Sequence, residues 1–384
     1  MRSWNGCASL AGRRSAVGRS GGTPRCSRRA RPVCGKWVKK LWWLTTLGQV
    51  ELEEQLWRCG PHTQRPFCTA AKVRARGSSR RLQRALTDFG ADEAFAAAAC
   101  KVQEHYGVSV PVSRVQSVTL HHAQVLAAQT PEPVRTLPAC GAERIVAEAD
   151  GTMVPVVDTA TAPPGTDRRK HRKVRYQEAR LVAACAQGRA TTHDGATLHD
   201  VTEAGLRWAQ VVKAAGWGLN SQIHALGDGA TWIAEQARLQ FGTQGRFTVD
   251  RFHVCDYLTA AAPDPAHAKP FVAPLREALR ASDHLTVLAT LRPREEPPDC
   301  PDEQAPVRAA LRYLGNRTDQ LDYASALTHD LPVGSGLIES GHRHVLQARL
   351  KKAGAWWTPV NVHAMCQLRT LRANLHWNHY WSRN

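Results

Sequence analysis

Between residues 144 and 250 one arrangement recurs: a short apolar run, then a turn in which an aspartate stands beside a glycine or ends the run. Residues 144–150, Arg-Ile-Val-Ala-Glu-Ala-Asp, predict a strand, Gly151 a turn, and residues 153–157 a second strand. Residues 174–184 form a third. A helical stretch over 201–215 ends at Gly216, and residues 222–226 make a fourth strand that stops at Gly227-Asp228-Gly229. A helix over 230–239 and a fifth strand over 246–249, ending at Asp250, complete the series. Three strands in succession, then strands separated by helices, predict an α+β (mixed α/β) fold on a mixed sheet flanked by helices.

The flanks read differently. Residues 1–44 read as a disordered basic tail, or as upstream DNA translated from a misassigned start, with irregular Cys7, Cys26 and Cys34. Residues 45–135 predict a helical, helix-turn-helix-like DNA-binding region, with a small strand at 49–57 before a loop between Cys59 and Cys68. Three short helices lie within 78–128; Asp92 is the expected N-cap of the second and Gly107 its stop. Residues 140–254 form the first part of the core, 255–330 a helical insertion broken by prolines, and 331–384 the C-terminal part. That last part holds two helices separated by a segment at 354–359, where Trp356 and Trp357 read as packing anchors.

Charge narrows the function. The chain carries 51 Lys+Arg against 33 Asp+Glu, a formal net charge of +18. Eleven of the basic residues fall in 1–40, which has no Asp or Glu, so the remainder still stands at +7. A surface of this kind suits a polyanion, since each phosphate it neutralises releases counterions. No run reaches the ~18–20 apolar residues of a membrane span. The eleven cysteines are odd in number and show no C-x-x-C pair, which argues against a disulfide framework and makes structural zinc unlikely. A cytoplasmic location is the simplest expectation.

Asp150, Asp228 and Glu339 are the carboxylates placed for chemistry. The first two close predicted strands beside glycines, where an open sheet positions its site. Glu339 follows Pro332-Val333-Gly334-Ser335-Gly336 in the first turn of a predicted helix. Ser335 and Glu339 stand four apart, one too many for a capping box, which leaves the loop N–H groups open to a phosphate. Three carboxylates in a basic protein suit Mg2+ (or Mn2+), and two such ions can activate a water and stabilise a leaving oxygen in phosphodiester chemistry. Glu148 shares a strand face with Asp150 and is the alternative first acid. Arg168, Arg169, Lys170, Arg172 and Lys173 on one loop, and Arg343, Arg349, Lys351 and Lys352 beyond Glu339, are the expected phosphate contacts. His342 and His344 read as surface or DNA-facing.

Four blocks carry a family resemblance: residues 146–154 (Val-Ala-Glu-Ala-Asp-Gly-Thr-Met-Val), 225–233 (Ala-Leu-Gly-Asp-Gly-Ala-Thr-Trp-Ile), 249–258 (Val-Asp-Arg-Phe-His-Val-Cys-Asp-Tyr-Leu) and 332–340 (Pro-Val-Gly-Ser-Gly-Leu-Ile-Glu-Ser). With residues 347–354 and Trp356-Trp357, they resemble ISKra-type bacterial insertion-sequence transposases of the DDE class. The resemblance spans roughly residues 45–380 and implies an RNase H-like catalytic core. It makes Asp150, Asp228 and Glu339 the catalytic and metal-holding residues. Asp250 and His253, in a D-x-x-H block, would support the site. Function by this reading is cleavage at element ends and strand transfer into target DNA, with double-stranded DNA as partner, a homodimer or higher oligomer to pair two ends, and a bacterial, nucleoid-associated setting. The alternatives are a non-catalytic DNA-binding or domesticated derivative, and an RNase H-like nuclease.

Overall fold

The computed structural model describes residues 36–59, 62–70, 77–158 and 165–383. Residues 1–35 and the side chains of Cys59, Arg168 and Arg169 fall outside what is described, with the readings placed on them. The chain divides into two units, residues 1–82 and 83–384.

In the first unit, period-two alternation builds an antiparallel sheet. Strand β1 (Lys36–Thr45) pairs with β2 (Gly48–Cys59) from Lys36 opposite Trp57 to Thr45 opposite Gly48, and β3 (His62–Gln64) pairs with β2. Leu41 is 1% exposed, while Trp42 on the opposite face is open. The strand expected at 49–57 is present and longer. Strand β1 corrects the expectation of disorder up to residue 44, because its lysines obscured the alternation of Leu41 and Trp43. The start of the region expected to be helical is therefore a sheet. A short helix α1 (Pro66–Ala70) follows, tied back by buried Glu54, which accepts from Arg65 at 2.8 Å and from the Cys68 N–H at 3.0 Å.

The three expected helices are α2 (Arg80–Asp92), α3 (Phe95–Tyr106) and α4 (Val112–Ala127), and Gly107 caps α3 as read. Asp92 does not cap α3. It is the last residue of α2, bound to Arg369 and Arg372, because α2 runs on through Gly90 and Ala91.

The second unit's sheet comprises β4 (Arg144–Asp158), β5 (Lys173–Ala186), β6 (His193–Thr197), β7 (Gln222–Gly227) and β8 (Gly245–Val249), in the order β6-β5-β4-β7-β8. Strands β4–β5 and β5–β6 are antiparallel; β4–β7 and β7–β8 are parallel. The parallel pairs are reached through α5 (Val201–Ala214) and α6 (Thr231–Phe241), as crossovers require. The mixed α+β class is the one expected, with two corrections. Gly151 makes no turn: it is extended and paired opposite Arg180, so 144–150 and 153–157 are one strand. Strand β6, His-Asp-Gly-Ala-Thr, has too little apolar character to be read as a strand; it is buried by what packs on it.

Ile145, Ala147 and Ala149 pack with Trp208 of α5 and Ile233 of α6 on one face. Val154, Val156 and Leu181 pack on the other against the C-terminal helices. These are α12 (Gly336–Gly341), a π-type turn His342–Gln347, α13 (Ala348–Leu350), α14 (Pro359–Ala373) and α15 (Trp377–Arg383). Between β8 and α12 lies the helical insertion: α7 (Arg251–Ala260), α8 (Lys269–Arg280), α9 (His284–Leu291), α10 (Pro306–Gly315) and α11 (Tyr323–Thr328). It has its own core of Leu258, Leu279, Leu314 and Tyr323. Among the described residues, no helix is long and apolar enough to cross a membrane.

Candidate active site

Two of the expected acids lie where β4 and β7 run side by side. The last paired rung sets Glu148 opposite Leu226, so Asp150 and Asp228 each stand two residues beyond it on the two neighbouring segments. Asp150 is thus mid-strand on β4, because β4 outlasts its neighbour. Asp228 lies just past β7, where its Oδ1 accepts from the Ala230 N–H at 2.9 Å in the turn before α6. Both are half-buried.

Glu339 arrives from the far side of the insertion. Its helix α12 is docked by Glu148, a 1%-exposed side chain whose Oε2 accepts from the Ile338 N–H at 2.8 Å. A carboxylate there complements the helix N-terminus. Burial pushes the Glu148 carboxyl up to about 7, with the Ile338 N–H opposing and the nearby charges of Asp250 and Glu339 adding to the rise. Glu148 therefore anchors the helix that carries the exposed Glu339. The N–H groups of the 334–338 loop, expected to face a phosphate, are in part taken: Ile338 by Glu148, Ser335 by Asp250.

Asp250 is buried and ties the two ends of the insertion together. Its Oδ1 accepts from Phe252 N–H at 2.6 Å, capping α7, and its Oδ2 accepts from Ser335 N–H at 3.0 Å and from the Ser335 hydroxyl. The Arg251 N–H donates to the Val333 carbonyl at 2.9 Å, and the Asp250 N–H to the Gly227 carbonyl at 2.7 Å. Asp250 thereby sets the height at which α12 leaves the insertion. His253 is exposed on the first turn of α7. The insertion also grips the Asp228 loop: the Tyr313 hydroxyl donates to the Asp228 carbonyl at 2.6 Å, and Arg317 to the Gly229 carbonyl at 2.6 Å. Gly229 has φ +84°, and a Cβ on it would stand 2.6 Å from the Tyr313 hydroxyl, so both backbone conformation and space call for glycine.

His342 corrects its sequence reading. It is 6% exposed, packed inside the π-type turn, with Nε2 at 3.0 Å from Asp150 Oδ2. Only long-range packing reveals this. His344 is exposed, as read.

The expected phosphate contacts divide. Lys170, Arg172 and Lys173 are exposed, Arg172 lying 4.4 Å over the Trp356 ring. Arg343 is exposed, and Lys351 donates to Thr152 at 2.8 Å, two residues from Asp150. Lys352 pairs with Glu93 at 3.0 Å. Arg349 is the correction: at 2% exposed it sits between the rings of Phe95 and Trp357, at 4.7 and 4.6 Å, and donates to the Gly90 carbonyl at 3.1 Å. Burial brings its guanidinium down to about 10. Trp357 is buried as an anchor, whereas Trp356 is half exposed.

As a donor set, Asp150, Asp228 and Glu339 offer hard oxygen ligands of the kind Mg2+ or Mn2+ takes, few in number and partly open for substrate oxygens. Their oxygens do not all lie within 4.8 Å of one another; among the described residues the group that does is His199, Glu203 and His363, which could hold a metal ion. These three meet where α5 and α14 flank the end of β6. There Glu203 already accepts from Arg207 and from His199 at 2.6 Å, and the two imidazoles stack with ring centroids 3.8 Å apart.

Residues 219–378 match the family described as Uncharacterised protein family (UPF0236). That span runs from just before β7 into α15 and takes in Asp228, Asp250, Glu339 and His342; Asp150 lies outside it. No curated protein matches the chain.

Proposed function

We propose that the chain is a DNA transposase of the DDE class on an RNase H-like core, cutting at the ends of an insertion sequence and joining them to target DNA. The reading is supported by Asp150 and Asp228 standing just past the last paired rung of the adjacent strands β4 and β7, and by Glu148, two residues before Asp150, binding the Ile338 N–H next to Glu339. In this reading the three carboxylates hold Mg2+ or Mn2+, which when bound supplies charge stabilisation for phosphodiester exchange. The protein's part is positional. Glu148 fixes α12, Asp250 fixes the return of the chain from the insertion, and Tyr313 with Arg317 fixes the Asp228 loop. Arg172, Arg343 and Lys351 are placed to hold the DNA backbone without reading its sequence. UPF0236, being uncharacterised, agrees with this reading without adding to it.

The test is a strand-transfer assay with labelled element ends. Asp150→Ala, Asp228→Ala and Glu339→Ala should each abolish cleavage and joining while DNA affinity stays close to the parent. An Asp228→Ala chain that cleaves normally would overturn the assignment. Cutting without joining would mark a nuclease, and binding without either a non-catalytic derivative.

A further inference from the structure

The π-type turn after α12 buries an imidazole against the Asp150 carboxylate. His342 is 6% exposed, and neither ring nitrogen has a hydrogen-bond partner among the described residues. Nε2 nonetheless lies 3.0 Å from Oδ2 of Asp150, close enough for contact but not aligned as a hydrogen bond. Buried polar groups are normally paired, and the carboxylate of Asp150 is the polar group within reach of this ring. π-turns inside helices concentrate at functional sites for the same reason, since they re-aim a side chain at the expense of regular bonding. Here the turn begins at His342, three residues after Glu339, a spacing that leaves the two side chains on neighbouring positions of the helix surface.

Asp150 is held from both ends. Its Oδ1 accepts from the Gly151 N–H at 2.7 Å, and Oδ2 faces the imidazole. An ionised carboxylate has about four lone-pair positions, so these contacts leave room for a cation. We propose that His342 is a positioning residue for cation binding: its ring fixes the orientation of the Asp150 carboxylate. This rests on the acid site proposed above and adds a residue to it.

Mn2+ binding followed by the loss of the free-ion EPR signal tests the idea without catalysis. His342→Leu keeps the volume and removes both nitrogens; it should weaken Mn2+ binding about 10- to 100-fold, the usual effect of losing a group that orients a ligand. Its melting midpoint should stay close to the parent's, because leucine keeps the packing of the turn. His342→Gln, whose amide nitrogen can reach the place of Nε2, should recover most of the affinity. Parent-like Mn2+ binding in His342→Leu, with Asp150→Asn abolishing it, would overturn the role of His342 alone. An earlier melt in His342→Leu with no recovery in His342→Gln would reduce the histidine to packing and overturn it too. A parent chain that takes up no Mn2+ would bring down the acid site itself, and this role with it.

Discussion

Asp194 shows how a single buried carboxyl writes itself into stability. It lies on β6, 7% exposed, with its backbone bracketed by the Asn374 side chain at 2.7 and 2.8 Å. Burial raises its pKa from 3.8 to about 6. The folded chain therefore keeps a proton that the unfolded chain releases between those values. The contribution is most favourable below pH 4 and is lost as pH rises through 6, in total about 3 kcal/mol at 1.36 per unit. Asp194→Asn, which stays neutral throughout, should be more stable than the parent at pH 8 by up to about that amount, with the gap closing near pH 4. Urea unfolding at both pH values measures it; a gap that does not change with pH would show that the carboxyl is not desolvated as described.

At the level of elements, the packing of α2 on α4 turns on one missing methyl group. A Cβ at Gly90 would lie 2.1 Å from Oγ1 of Thr119, a fully buried β-branched residue whose hydroxyl donates to the Leu86 carbonyl at 3.2 Å. Alanine is better than glycine in a helix by about 1 kcal/mol, but overpacking a rigid contact costs about 1–3 kcal/mol. The clash should win. Gly90→Ala should lower stability by up to about 2 kcal/mol on balance. Thr119→Ala should recover part of the loss in the double variant, read as a coupling energy in thermal unfolding.

Periodicity made most elements legible: α3 stops at Gly107 as read, and α5, β7, α6 and β8 lie within a few residues of their expected places. Where the reading failed, a local signal meant something else. Asp150-Gly151 looks like a turn but is the middle of β4. The lysines of β1 hid an alternation, and β6 owes its strand state to neighbours rather than to its own side chains.

Across the whole molecule, the acids taken as the site were picked out because each stands beside a glycine or opens a helix, but their contacts were not legible. Glu148 meets Ile338 across 190 residues and Ser335 meets Asp250 across 85, and no spacing rule reaches that far. The same limit governs the charge. A net charge of +18 says that a polyanion is favoured, while only burial says which cations can touch it. Arg349 lies in the core and Lys352 is paired with Glu93, whereas Arg172, Arg343 and Lys351 are exposed. Each phosphate neutralised contributes about 0.9 to the slope of log K against log salt. On the proposed DNA-binding reading, replacing Arg343 or Lys351 with Gln should weaken that binding evenly across sequences and flatten the slope by up to about one unit for each cation removed. Arg349→Met should lower the melting temperature, because the Phe95 and Trp357 rings and the Gly90 carbonyl lose their cation, and leave the slope as it was. Fluorescence anisotropy from 50 to 300 mM salt, a range chosen at roughly the span over which such binding collapses, separates the two classes. If Arg349→Met flattened the slope as Arg343→Gln does, the buried arginine would have to emerge to meet DNA, and the division drawn between core cations and DNA-facing ones would fail.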